Sequence, residues 1–124
     1  MLGKTDAIAT VGVKNLAAAR QFYEEKLGLE PAPTDEPSVL VYRSGKSSIL
    51  VYQSEYAGSN EATAITWAVP DVESEVRALK DRGVAFEHYD FPNTSRVGDV
   101  HVSGKRHNAW MKDPDGNILS IVNS

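Results

Sequence analysis

Along the chain, short stretches alternating between apolar and polar residues give way twice to an apolar stripe of helical period, and the order of elements then repeats. Laying the segment from Ile8 over the segment from Ala64, an offset of 56, puts Thr10 on Thr66 and Val13 on Val69. In the first half, Ala7 to Val13 predicts a strand and Asn15 a helix N-cap. Leu16, Ala19, Phe22, Tyr23 and Leu27 then recur on one helix face, which Gly28 ends. In the second half, Ala64 to Val69 is the strand, Asp71 the cap, and Val72, Val76 and Leu79 the stripe, with Gly83 as the stop.

Strand-like segments follow each helix: Ser38 to Arg43 and Ser48 to Gln53, then Ala85 to Tyr89, Asn108 to Lys112 and Asn117 to Val122. The turn Asp113-Pro114-Asp115-Gly116 sets φ with its proline and closes a hairpin with its glycine; Ser44-Gly45-Lys46 is its counterpart. Segments 54–62 and 90–107 are rich in Gly, Ser, Asn and Asp. The first joins the halves, and the second is long enough to be expected as a functional flap.

A unit with one helix covers only one face of its sheet, so two units should pair and enclose a cleft between them. The expected fold is therefore α+β, a single domain over residues 1–124 made of two βαβββ modules, 7–53 and 63–123, forming a cup-shaped cleft. The pairing could lie within one chain or be exchanged between the chains of a dimer.

Composition and charge narrow the function by exclusion. A chain of 124 residues holds one core, and 41% hydrophobic with 24% charged residues is the composition of a folded globular protein. No apolar run exceeds four residues, against the roughly 18 needed to span a bilayer, so no membrane partner is expected. The opening MLGKTDAIAT carries Lys4 and Asp6 where an export signal would be apolar, which makes the cytoplasm the expected compartment. Without cysteine there is no disulfide, thiolate metal site or thiol nucleophile. With 13 basic and 17 acidic residues, a net charge of −4 and no basic run, nucleic acid is not an expected partner.

Three motifs carry a family resemblance: V-x-N-L-x-x-x-x-x-F-Y-x-x-x-L-G-L over Val13 to Leu29, V-P-D-V at Val69 with L-K-D-R-G-V at Leu79, and K-D-P-D-G-N-I-L from Lys112. In this order and spacing they resemble the vicinal oxygen chelate superfamily of glyoxalases, bleomycin resistance proteins and extradiol dioxygenases. The resemblance implies paired βαβββ modules around a cleft and a homodimer. It also implies, for enzymatic members, a divalent metal held by His, Gln or Glu side chains on cleft-facing strands. Carried over by position, those ligand sites fall at Ile8, at Ile49 or Val51, at Ala64 and at Ser120. Aliphatic residues and one hydroxyl are poor ligands for a desolvated cation, so no metal and no other cofactor is expected.

Strand alternation extends the lining from these positions to their i±2 neighbours. It predicts Ile8, Thr10 and Gly12; Ala64, Thr66 and Ala68; Ile49, Val51 and Gln53; and Ile118, Ser120 and Val122. The opposite parity, including Trp67, should pack beneath the helices. Trp110 fits either cleft or core, and Tyr42 and Tyr52 fit either core or rim.

His88, His101 and His107 fall in or near the second long loop and read as solvated. Two alternatives stay open: a non-family metal site of His101, His107 and Asp99, and a general acid or base role for His107 at the cleft mouth. Arg96, Lys105 and Arg106 could meet an anionic group. The favoured expectation is a metal-independent binder of a small, partly apolar molecule, contacted by Thr10, Gln53, Thr66, Trp110, Ser120 and the aliphatic lining. Against it stand a lyase, isomerase or dioxygenase-type enzyme with an unusual metal or acid-base site, and a subunit whose cup is filled by its own side chains.

Overall fold

A computed structural model describes all residues, 1–124. Strand β1 (Ala9–Val13) leads to Asn15, whose side chain accepts the Ala18 amide at 3.0 Å and so starts α1 (Leu16–Arg20). The helix then widens into a π-helical turn, Gln21–Lys26, in which the Leu27 amide donates to the Phe22 carbonyl at 3.0 Å. Two consecutive aromatics, Phe22 and Tyr23, are thereby both turned into the core. Strands β2 (Glu30–Ala32), β3 (Val39–Ser44) and β4 (Ser47–Gln53) complete a four-stranded sheet of order β1-β4-β3-β2, with β1 parallel to β4.

The second half repeats the plan with additions. β5 (Thr63–Val69) leads to α2 (Val72–Asp81), capped by Asp71, whose carboxylate accepts the Ser74 amide at 3.2 Å. There follow β6 (Phe86–Glu87), β7 (Ser95–Val97), β8 (Val100–Ser103), β9 (Arg106–Lys112) and β10 (Ile118–Asn123). The sheet order is β5-β10-β9-β8-β7, with β6 paired to β9 and β5 parallel to β10. Segment 90–107 is thus largely the β7–β8 hairpin, two further strands at the sheet edge, and not the open flap its composition suggested. Alternation of Val100 and Val102 toward the core is what recruits it.

Register corrects the predicted parity of one strand. Ala9 pairs with Ile49 and Val11 with Val51, so Ile49 and Val51 share the helix-facing side and are 2% and 0% exposed. Leu50 and Tyr52, opposite Thr10 and Gly12, take the helix-free face instead. Gln53 pairs with Val13 and reaches sideways to the Lys14 carbonyl at 3.4 Å, away from that face. The cause is that apolar residues occupy both parities of β4, so its pattern alone could not tell the two faces apart.

The modules are tied through the turn before β10. Asp113 is 4% exposed and accepts four hydrogen bonds: the Asp115 and Asn117 amides at 3.0 and 2.9 Å, the Tyr23 phenol at 2.8 Å and the Asn117 side-chain amide at 2.8 Å. The same Asn117 amide also donates to the Gly12 carbonyl of β1 at 2.8 Å. Gly58, in the connection between modules, lies against this turn at φ +69°, where a Cβ would come within 1.9 Å of the Asp115 carbonyl.

Burial, with Asp113 beside it, pushes the Tyr23 phenol far above its ordinary value of 10.0. A raised folded value means that this contribution is complete below about pH 10 and lost as pH rises beyond it. Tyr23→Phe is expected to cost about 1–3 kcal/mol at neutral pH and to flatten the fall in stability above about pH 10, both read from urea melts across pH. The parity correction is checked by Ile49→Ala, expected to cost about 2–5 kcal/mol, against Leu50→Ala, expected to cost less than about 2 kcal/mol.

Candidate functional site

The helix-free face is where side chains remain available to a ligand. On β1 it carries Thr10, with Ile8 just ahead of the strand, both exposed. Leu50 and the half-exposed Tyr52 join them from β4, and Tyr52 leans over Gly12, whose Cβ position is 3.7 Å from the Tyr52 ring. At the seam with the second module, at the ends of the strands, lies an open hollow of ≈ 370 Å³ that takes in helix-side residues, Ile49, Ile65 and Trp67, as well as Ile8, Ser48 and Thr66.

From the second module come Thr66 and Ser120, paired in register and joined hydroxyl to hydroxyl at 2.8 Å, with Ser120 buried. A bulge opposite Ile118 and Leu119 sets Ala64 out of the ladder and leaves it exposed, while Thr63 turns toward β9. There the Trp110 indole donates to the Thr63 hydroxyl at 3.3 Å. Trp110, the residue the sequence could assign to either side, therefore stands on the helix-free face beside Ser120.

Around Trp110 is an aromatic group that strand parity does not reveal. The segment after β6 folds over the sheet, putting the Tyr89 ring 5.5 Å and the Phe91 ring 5.4 Å from Trp110, centre to centre. His101, from β8, meets Trp110 edge-on at 4.9 Å. His101 is 2% exposed and accepts the Tyr89 amide at Nε2, at 3.0 Å. An imidazole that accepts at Nε2 carries its proton at Nδ1, and that buried donor has no partner; the buried Tyr89 hydroxyl has none either. The signal that could have found this group was the spacing of Tyr89 and Phe91, two aromatics at i, i+2 in a segment otherwise polar.

The other histidines are dispersed. His107 alternates with Ala109 and Met111, so it lies on the helix side, where its Nδ1 bonds Glu73 of α2. Its side chain is thereby turned away from the helix-free face, where the cleft-mouth role would have placed it. Asp99 bonds Lys80 at 2.6 Å and His88 at 2.7 Å, and those bonds hold its carboxyl below the usual range. His101, His107 and Asp99 thus go to three different surroundings, and nowhere do three His, Asp or Glu side chains gather as a metal site would need. Arg96, Lys105 and Arg106 are exposed. Trp67 lies on the helix side as expected, half-buried, its indole donating to the Ser44 hydroxyl at 2.9 Å across the module boundary. Tyr42 is core, its phenol bonded to Glu24 at 2.8 Å.

Of the positions that the resemblance assigns to metal ligands, Ile49 and Val51 are buried on the helix side, and Leu50 between them takes the helix-free face with Ile8, Ala64 and Ser120. They supply no carboxylate and no imidazole, and the one hydroxyl is already bonded to Thr66. This donor set does not fit a divalent cation.

Comparison with known proteins places the fold. The chain resembles a lactoylglutathione lyase from Agrobacterium tumefaciens, with a TM-score of 0.71 at 14% identity, covering 98% of this chain and 94% of that one. It is similar to the fosfomycin resistance protein FosX of Listeria monocytogenes, TM-score 0.67 at 17% identity, covering 100% and 93%. It is also similar to TnmS3, an antibiotic binding protein from Streptomyces sp. CB03234, TM-score 0.64 at 18% identity, covering 97% of each chain. Among curated proteins, none matches the sequence. The family model of the Glyoxalase/Bleomycin resistance protein/Dioxygenase superfamily matches residues 6–121, and with its two βαβββ modules around a cleft this chain belongs to that superfamily.

Proposed function

We propose that the protein is a metal-independent binder of a small, partly apolar molecule, held on the helix-free face between its two modules. The observation that carries this reading is the make-up of that face: aliphatic and hydroxyl groups at the ligand positions, flanked by the rings of Trp110 and Phe91. Apolar walls with a few convergent polar groups suit a neutral or weakly polar ligand, whereas they would strip water from a cation and return nothing. Thr10 and Thr66 supply hydroxyls, Ile8, Leu50 and Ala64 supply apolar contact, and Trp110 supplies a stacking surface. TnmS3, similar in fold, is an antibiotic binding protein, which makes sequestration a use to which this architecture is suited. The reading includes a cytoplasmic location, in keeping with the lack of cysteine, and a homodimer, which rests on the family resemblance and is decided by sedimentation.

The test is a thermal-shift screen of small aromatic and apolar compounds with and without a chelator. Stabilisation of about 2.7 kcal/mol is expected at 100 times the dissociation constant, unchanged by the chelator and abolished by Thr66→Phe. Stabilisation that appears only with a stoichiometric divalent metal would overturn the reading in favour of an enzyme. A ligand bound equally well by Thr66→Phe would place the site elsewhere.

A further inference from the structure

Phe91 is 47% exposed although three other rings lie close to its own: Trp110 at 5.4 Å, Tyr89 at 6.0 Å and His101 at 6.2 Å. Two of these neighbouring rings carry a buried polar atom without a partner, His101 Nδ1 and the Tyr89 hydroxyl, and the two rings are themselves 6.2 Å apart. A folded protein seldom leaves two such groups together, because each forfeits its hydration for nothing. The segment carrying Phe91 is held by the Tyr89 amide on His101 and by His88 on Asp99, and two residues after Phe91 the chain turns at Asn93, φ +57°.

From this we infer that Phe91 is an internal stand-in for the ligand: its ring, tilted 50° against Trp110, occupies a slot that a planar aromatic molecule bearing a carbonyl acceptor takes over, receiving hydrogen bonds from His101 Nδ1 and the Tyr89 hydroxyl. The inference rests on the binding function proposed above and specifies its ligand class. Replacing one ring by another roughly preserves the apolar contact with Trp110. Supplying an oxygen where Phe91 has only carbon satisfies the two donors, so the exchange favours an acceptor-bearing ring over a plain hydrocarbon. A neutral carbonyl fits better than a carboxylate, since a charge here would enter surroundings made mostly of ring carbon. His101 is the acceptor-sensing residue and Phe91 the competitor.

Two probes of nearly equal shape test this, 2-acetylnaphthalene and 2-ethylnaphthalene, titrated against tryptophan fluorescence. The intact protein is expected to bind the acetyl compound about five-fold or more tightly than the ethyl one. Phe91→Ala, a change at a half-exposed side chain, should tighten both by a similar factor, because the competitor is gone. His101→Phe should erase the preference. Tyr89→Phe, which removes a hydroxyl without a partner and so should fold normally, should reduce it. Unchanged or weaker binding by Phe91→Ala would make Phe91 part of a fixed wall and overturn the inference. So would a preference that survives in both Tyr89→Phe and His101→Phe, or the absence of binding by the intact protein and Phe91→Ala alike. If compounds in the thermal-shift screen still stabilise the protein through Thr66 in those cases, the stand-in falls while the binding function stands.

Discussion

The arrangement of the two modules depends on one buried carboxylate. Asp113 has no cation within reach of an ion pair, and an unpaired charge so deep in the chain would be costly without compensation. It is compensated by four hydrogen bonds that come from three directions: its own turn, Asn117, and Tyr23 on the helix of the other module. Because Asn117 also holds the Gly12 carbonyl, the turn between β9 and β10 is fixed against both α1 and β1 of the first module. The hollow that takes in Ile8 and Thr66 also takes in Ser44 and Trp67, whose hydrogen bond is a further tie across the same seam. Packing alone would allow the two sheets to slide, since apolar contacts have little directional preference, whereas these bonds define a single position.

Much of this was legible in the sequence because each module is a local object. Asn15 and Asp71 cap helices, Gly28 and Gly83 end them in the left-handed region, and the Asp113-Pro114-Asp115-Gly116 turn closes its hairpin. These are effects of residues on their near neighbours, so a one-dimensional reading finds them. What it missed depends on partners distant in the chain. Asp113 reads as a turn residue, yet its bond to Tyr23 spans 90 positions. The π-helical turn shifts the helical period, so Tyr23 reads as one more stripe residue. The face taken by β4 is fixed by pairing with β1, and with apolar residues at 49, 50, 51 and 52 the strand carries no internal sign of which side is which.

The histidines show the same limit in a sharper form. All three sit in or beside a polar, glycine-bearing stretch, and on composition alone they belong together. The β7–β8 hairpin separates them: alternation sends His101 to one face of the sheet, His107 goes to the other, and His88 joins Asp99 and Lys80 at the edge. A cluster in sequence thus becomes three unrelated environments, because in a strand adjacent positions face opposite ways and position along the chain says little about shared surroundings.

The helix-free face follows from the same geometry. At a cation site the usual requirement is several anionic or imidazole donors converging within about 2–2.6 Å of a point, and any one aliphatic substitution leaves the ion short of a ligand it gave up water for. Ile8, Leu50, Ala64 and Ser120 offer no carboxylate and no imidazole among them. The space is free to be lined for shape. In the proposed reading, threonine hydroxyls and an indole hold a flat, mostly uncharged molecule without exacting geometry, and discrimination passes from charge to the placement of single hydrogen-bond donors. His101 has the properties such a donor needs: its Nε2 is committed to the Tyr89 backbone, so its tautomer is fixed, and its Nδ1 proton is buried where water does not compete.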